Sequence, residues 1–559
     1  MLRDLLDEAW QFELREDPLL ATQVGDHRYD AALPRLTIAD VERRVEAKRQ
    51  FLRRAEGIAR EKLARPEQIN LDIFRRQLRD EIAEAEFKTY LMPITNREGF
   101  HVSFPELRRN VPLRTAEDYE NYIARLAGFD RYAQDHIELL RGGIAAGVTL
   151  PAVTIDGAGE AIRPHVVADA ANSVFYEPFR AFPESVPEAD RARLDAAGRE
   201  AILQGIVPGY RRFLEFIESE YSQAARGTIA ASALPQGRKF YRHRVRSFTT
   251  LDLTPEEVHA TGLAEVARIR TEMQTIVERV KFDGDLPAFI RHLRTDPQFY
   301  ATTPEELLKE VAYALKRMDG ELPRLFSKLP RTPYGIREIP AYIAPRTTTA
   351  YYSPPPGDGS RGGYYYVNTY DLASRPLFEV EALSLHEAVP GHHLQIALQQ
   401  ELEDLPPFRR FGGCTAFIEG WGLYSERLGL EVGFYQDPYS DFGRLSFEMW
   451  RACRLVVDTG IHYLGWTREQ SIDFMVDNTP LALLNIRSEV DRYIAWPGQA
   501  VAYKIGELKI RELRSLAEAE LGDGFDVRAF HAVVLESGAV PLEVLEENVR
   551  AYVAAEKSP

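Results

Sequence analysis

Three of the 12 histidines stand within eight residues, in Leu385-His-Glu-Ala-Val-Pro-Gly-His-His-Leu-Gln395. A histidine followed at once by a glutamate is the arrangement of zinc hydrolases, in which the imidazole binds the metal and the carboxylate faces the water it activates. There the second ligand lies four residues on, because a turn of about 100° per residue keeps both imidazoles on one helical face. Here that position is Pro390, which cannot ligate. His392 follows His386 by six residues, roughly 240° away on an ideal helix, and His393 by seven, about 10.5 Å along the axis. A regular helix therefore forbids a shared metal. Pro390 removes the N–H that would bond the carbonyl of residue 386 and crowds that carbonyl, so the helix must open, and Gly391 tolerates the backbone this requires. The expectation is an expanded spacing with His386 and His392 on one metal, Glu387 as general base and His393 packed behind them. The alternative is a kinked core helix with incidental histidines.

Two imidazoles call for an anionic third ligand. In Ala416-Phe-Ile-Glu-Gly-Trp-Gly-Leu-Tyr-Ser-Glu426, Glu419 sits among Phe417, Ile418 and Trp421, where a carboxylate is costly unless paired or metal-bound. Glu419 is the expected ligand, and Glu426, two turns on, an outer partner or half of an ion pair. Arg454, Asp458 and His462 recur every four residues on an otherwise apolar helix. Asp458 would orient His462, or the stripe is an ion-pair ladder. His462, Tyr493 and Tyr503 are candidates to stabilise a developing oxyanion. Arg346, Arg361, Arg487 and Arg492 are available to grip a substrate carboxylate. Tyr364-Tyr-Tyr-Val-Asn368 reads as a strand. If it is an edge strand, Tyr366 and Asn368 would help hold an extended peptide by strand addition.

The elements that must position these groups are mostly helical. Val41–Ala64 and Glu67–Lys88 have apolar residues at helical spacing, and Thr254-Pro-Glu-Glu257 and Thr303-Pro-Glu-Glu306 combine a threonine cap, a proline at the first helical position and a glutamate at the third. Near residue 335 the texture changes. Ile336–Ala344, Thr347–Tyr352 and Tyr364–Thr369 are rich in β-branched and aromatic residues, with a Pro/Gly-rich turn between the last two. Helical patterning resumes at Pro376. This predicts a mainly α fold, with an N-terminal helical lobe over 1–335 and a metal-binding catalytic lobe over 336–559, continuous with each other, and a small sheet beside the metal helix. The histidines of the first 330 or so residues (His27, His101, His136, His165, His243, His259, His292) are scattered singly and read as structural or exposed.

Composition narrows the function. The 559 residues carry 69 Lys+Arg against 85 Asp+Glu, a net charge of −16, with no run of five basic residues, which argues against nucleic acid as a partner. Two cysteines, Cys414 and Cys453, exclude a disulfide framework and a multi-cysteine zinc module. The first ten residues include acids where a secretory signal would have an apolar core, and no segment approaches 18 consecutive apolar residues. The expected address is the cytoplasm, without a membrane partner.

On Val24-Gly-Asp-His-Arg-Tyr-Asp30, the His386–Gln395 segment, Glu419-Gly-Trp-Gly-Leu-Tyr424, Asp458-Thr-Gly-Ile-His462 and Pro497-Gly-Gln-Ala-Val-Ala-Tyr-Lys-Ile-Gly506, the chain resembles the bacterial proteins of domain of unknown function 885. These look like relatives of the helical zinc carboxypeptidases typified by carboxypeptidase Taq. The resemblance spans nearly the whole chain. It implies a helical metallopeptidase-like fold with a deep groove, one zinc ion on His386, His392 and Glu419, and Glu387 as base. The histidine spacing departs from that of the carboxypeptidases. The leading reading is a zinc-dependent hydrolase of a peptide or small amide. The alternatives are a non-haem iron enzyme, since two histidines and a carboxylate also form its facial triad, and a non-catalytic peptide-binding protein with a structural metal.

Overall fold

Threonine caps start the long helices where the sequence places them. Thr254 and Glu257 close a reciprocal capping box at the head of Pro255–Arg279 (α1), and Thr303 accepts from the Glu306 N–H at the head of Pro304–Leu325 (α2). The structure, a computed structural model, describes residues 1–341 and 343–557 without the Arg346 side chain, so that candidate lies outside the described residues. The protein is mainly α-helical with one small sheet.

The chain forms two compact units, 1–228 with 356–358, and 229–355 with 359–559. The expected boundary at 335 is thus replaced by one after Thr228. The reason is packing: α1, which precedes residue 335, lies along Pro438–Thr459 of the C-terminal part. The first unit is a helical array around an aromatic core that includes Phe100, Phe129, Phe175, Tyr210 and Phe213. His101, His136 and His165, far apart in sequence, are all buried in this unit, with Phe100 stacked on His136 and Tyr210 against His165.

In the second unit, three strands, Tyr334–Glu338 (β1), Ala350–Ser353 (β2) and Gly363–Val367 (β3), form a sheet in the order β1-β3-β2. β3 runs parallel to β1 and antiparallel to β2. It is therefore the central strand, not an edge, because both of its backbone edges are taken. β2 and β1 are the outer strands, and β2 packs beside the helix that carries His386.

Five further helices surround the site: Val380–Glu387 (α3), His392–Gln400 (α4), Thr415–Leu428 (α5), Pro438–Thr459 (α6) and Ala502–Leu521 (α7). α5 and α7 approach at backbone contact. A Cβ on Gly506 would stand 1.8 Å from the Ala416 carbonyl oxygen, and one on Gly420 would stand 2.5 Å from the Gly506 carbonyl carbon. On α7, buried Lys504 is ringed by Glu265, Glu448 and Glu507 at 2.8–3.0 Å, which fixes this helix against α1 and α6. Such a charge is tolerated inside only because it is multiply paired.

Candidate metal centre

The chain opens where Pro390 demands it. α3 ends at Glu387 and α4 begins at His392, with a cis Val389–Pro390 peptide in the break. The free Pro390 carbonyl accepts from the Trp421 indole N–H at 2.9 Å, tying the break to α5. Gly391 is required because a Cβ there would lie 1.9 Å from the His386 carbonyl oxygen.

The break brings His386 and His392 ring to ring, centroids 4.6 Å apart and nearly perpendicular. Glu419 Oε2 stands 3.6 Å from His386 Nε2 and 3.5 Å from His392 Nε2. One ligand atom from each residue lies within 4.8 Å of the others, so this is a group able to hold a metal ion. Donors about 2.0–2.1 Å from a tetrahedral ion stand roughly 3.4 Å apart, so the spacing fits. The electrostatics fit as well. Glu419 Oε2 is buried with no hydrogen-bond partner. Burial opposes its charge, yet His392 and His386 hold the carboxyl well below the ordinary carboxylate value. Burial also disfavours a charged His386, but Glu419 and Glu426 outweigh it and push that imidazole up to about 9. The carboxylates ask for positive charge between them.

The surroundings orient the ligands. His386 Nδ1–H donates to Glu426 Oε1 at 2.8 Å, which turns the Nε2 lone pair toward Glu419. Gly422 lets the ring lie flat on α5, since a Cβ there would be 2.7 Å from His386 Cε1. Glu387 is buried at the end of α3, and none of the hydrogen bonds or ion pairs of the described residues uses its carboxylate. His393 faces away: its Nδ1 accepts from the Tyr352 hydroxyl at 2.8 Å and its Nε2–H donates to the Thr332 carbonyl at 3.1 Å. Burial pushes it down to about 4.

Other candidates are placed differently from the expectation. Both nitrogens of His462 are committed to backbone: Nδ1 accepts from the Ala231 N–H at 3.0 Å and Nε2–H donates to the Tyr493 carbonyl at 2.8 Å. It has no N–H to offer an oxyanion. Asp458 does not orient it; it accepts from the Tyr241 hydroxyl at 2.6 Å and the Gly498 N–H at 3.0 Å. The Tyr493 hydroxyl accepts from Trp450 and Arg454 at 2.8 and 2.9 Å in a fully buried position. Tyr503 is partly exposed and lies under the Arg454 guanidinium at 4.2 Å. Burial and then the charge of Glu419 raise its phenol, so it shares the field of the metal group.

Asn368 is also reassigned. Its amide donates to the carbonyls of Ala344, Thr347 and Thr348 at 2.9–3.0 Å and its oxygen accepts from the Tyr370 N–H, so it organises the β3 exit and cannot bind substrate as well. Tyr366 is stacked on Tyr351 across the sheet, 4.9 Å between centroids, in the central strand. Arg492 is held by Glu489 and Gln499. Arg487 is exposed, with no hydrogen bond or ion pair among the described residues. Arg361 donates to the Gly362 carbonyl at 3.1 Å.

Reading the sequence missed Arg451, whose Nη2 lies 3.4 Å from Glu426 Oε1. The signal was present: the stripe of Arg454 and Asp458 extends back through Arg451 and Glu448 at helical spacing.

Over residues 18–549 the chain matches the family described as "Bacterial protein of unknown function (DUF885)", and it belongs to that family. Among solved structures it is similar to one described as "the putative lipoprotein from Colwellia psychrerythraea". The identity there is 30%, the TM-score 0.94, and 99% of each chain is covered. It also resembles "a putative lipoprotein of unknown function from Shewanella oneidensis" at 18% identity and a TM-score of 0.73, with 98% of this chain and 99% of that one covered. A structure described as "a putative oligoendopeptidase F from Bacillus anthracis str. Ames" aligns with a TM-score of only 0.29 at 12% identity, which carries no argument. No curated protein matches. The peptidase resemblance thus has no support from these relatives. The expected cytoplasmic address is overturned, because both full-length structural relatives are described as lipoproteins. Among the described residues, no helix is long and apolar enough to cross a membrane.

Proposed function

We propose that this protein is a zinc-dependent hydrolase of peptide or related amide bonds. The observation that carries the reading is the convergence of His386 Nε2, His392 and Glu419 Oε2, with the buried Glu387 the next residue in the chain after His386. A zinc ion held by the three residues would supply Lewis acidity, making water acidic near neutral pH and polarising a carbonyl. Glu387, adjacent to His386 in the chain and without a hydrogen bond or ion pair among the described residues, would accept a proton from the attacking water and return it to the leaving nitrogen. Glu426 keeps His386 in the tautomer that presents Nε2. Tyr503 is the oxyanion donor of choice, since His462 and Tyr493 are committed elsewhere. β2, an outer strand next to α3, is the strand to which an extended peptide would add, the role central β3 cannot fill. The lipoprotein descriptions of both structural relatives support action outside the cytoplasm, on peptides found there.

The test is elemental analysis of protein purified without added metal, followed by a screen of blocked and unblocked short peptides with the zinc-loaded protein. Zinc with peptide turnover is the expected outcome. Iron with no zinc would redirect the reading to oxygen chemistry.

A further inference from the structure

Arg451 is 3% exposed and takes no part in the chemistry above. Its guanidinium lies over the rings of Phe447 and Trp450, 4.5 and 4.7 Å from their centroids, and Nη1 donates to the Phe447 carbonyl at 3.3 Å. Nη2 reaches Glu426 Oε1 at 3.4 Å, the same oxygen that accepts from His386 Nδ1 at 2.8 Å. No other Lys or Arg among the described residues forms an ion pair with Glu426, and Glu426 Oε2 has no hydrogen-bond partner. Arg451 also feels the charge of Glu387, and Glu379 feels that of Arg451. A lone buried guanidinium costs several kcal/mol; here the Glu426 carboxylate stands against it.

We propose that Arg451 is a positioning residue for the metal centre: it fixes the Glu426 carboxylate, which fixes the His386 ring toward the ion. The inference rests on the metal reading and goes beyond it, because Arg451 touches neither ligand nor base. Stacked on two aromatic rings and anchored to the Phe447 carbonyl, the guanidinium is held in place on its own helix. It gives Glu426 a fixed cationic partner. Without it, the carboxylate has, among the described residues, only the imidazole it orients. Outer partners of metal-bound histidines characteristically govern 10- to 100-fold of affinity.

The experiment measures zinc dissociation constants by competition with a chromophoric chelator, on the full chain, for wild type, R451M, E426Q and the double variant E426Q/R451M, with circular dichroism as the fold control. R451M is expected to weaken zinc about 10- to 100-fold with the fold retained. In the E426Q background, where Arg451 no longer has a carboxylate to fix, R451M is expected to change the affinity little. Wild-type affinity in folded R451M overturns the proposal, as does an equal loss from R451M in both backgrounds. Should R451M alone not fold, the comparison of E426Q with the double variant, in which neither charge is left buried alone, decides by the same criterion. Wild-type protein that binds no zinc overturns the metal reading and this proposal together; wild-type binding with R451M unaffected overturns this proposal alone.

Discussion

At the scale of single residues, a side chain already committed to the structure cannot also do chemistry. Glu387 and His462 sit at opposite ends of that distinction. Glu387 has no hydrogen bond or ion pair among the described residues, so Glu387→Gln should leave zinc content and melting temperature unchanged while kcat on any substrate falls about 10²- to 10⁴-fold. Undiminished turnover would remove Glu387 from the mechanism. His462 bridges the Ala231 N–H and the Tyr493 carbonyl. His462→Ala should therefore cost about 1–3 kcal/mol of stability by leaving these buried groups unpaired. Urea melts would read that loss, and steady-state kinetics of the folded fraction should be unaltered. A fall in kcat without a fall in stability would restore His462 as a participant.

At the scale of elements, the centre depends on one interrupted helix laid flat on another. Pro390 opens the chain between His386 and His392, and Gly422 clears the surface of α5 on which the His386 ring rests. Gly422→Ala sets two effects against each other. Alanine favours the helix by about 1 kcal/mol, while its Cβ would meet the His386 ring at 2.7 Å. The expected outcome is an intact fold with weakened zinc binding, checked by circular dichroism and chelator competition; unchanged affinity would show that the ring is not seated as described. This element is also where the sequence was most legible. The proline at position four after His386, the carboxylate of Glu419 among aromatic neighbours and the threonine caps each act through local sterics or desolvation, which adjacent residues encode. Tyr364–Asn368 was legible as a strand but not as the central one, because pairing on both edges depends on β1 and β2, whose registry is set by tertiary packing. The alternatives for Asp458, an orienter of His462 or part of an ion ladder, failed for the same reason: Tyr241 and Gly498, which hold it, are 217 and 40 residues away.

At the scale of the whole molecule, a chain with a net charge of −16 buries Arg451, Arg454 and Lys504 in its second unit, each against carboxylates. The first unit buries His101, His136 and His165, which burial pushes down to about 3, 4 and 4. Folded, these imidazoles stay neutral where the unfolded chain, with ordinary values near 6.5, takes up protons. Their contribution to stability is full above about pH 6.5 and is lost as pH falls toward 4, by about 1.4 kcal/mol per unit of depression for each group. Denaturant melts from pH 7 to 4.5 should show this decline, and His101→Phe should flatten it; a slope unaffected by that substitution would mean that His101 is not buried neutral. The metal centre of the second unit is tested most directly by zinc stoichiometry. Metal-free protein titrated with zinc should bind one ion per chain, and His386→Ala, His392→Ala and Glu419→Gln should each abolish tight binding. Wild-type protein that binds none, or variants that bind as wild type does, would contradict the account.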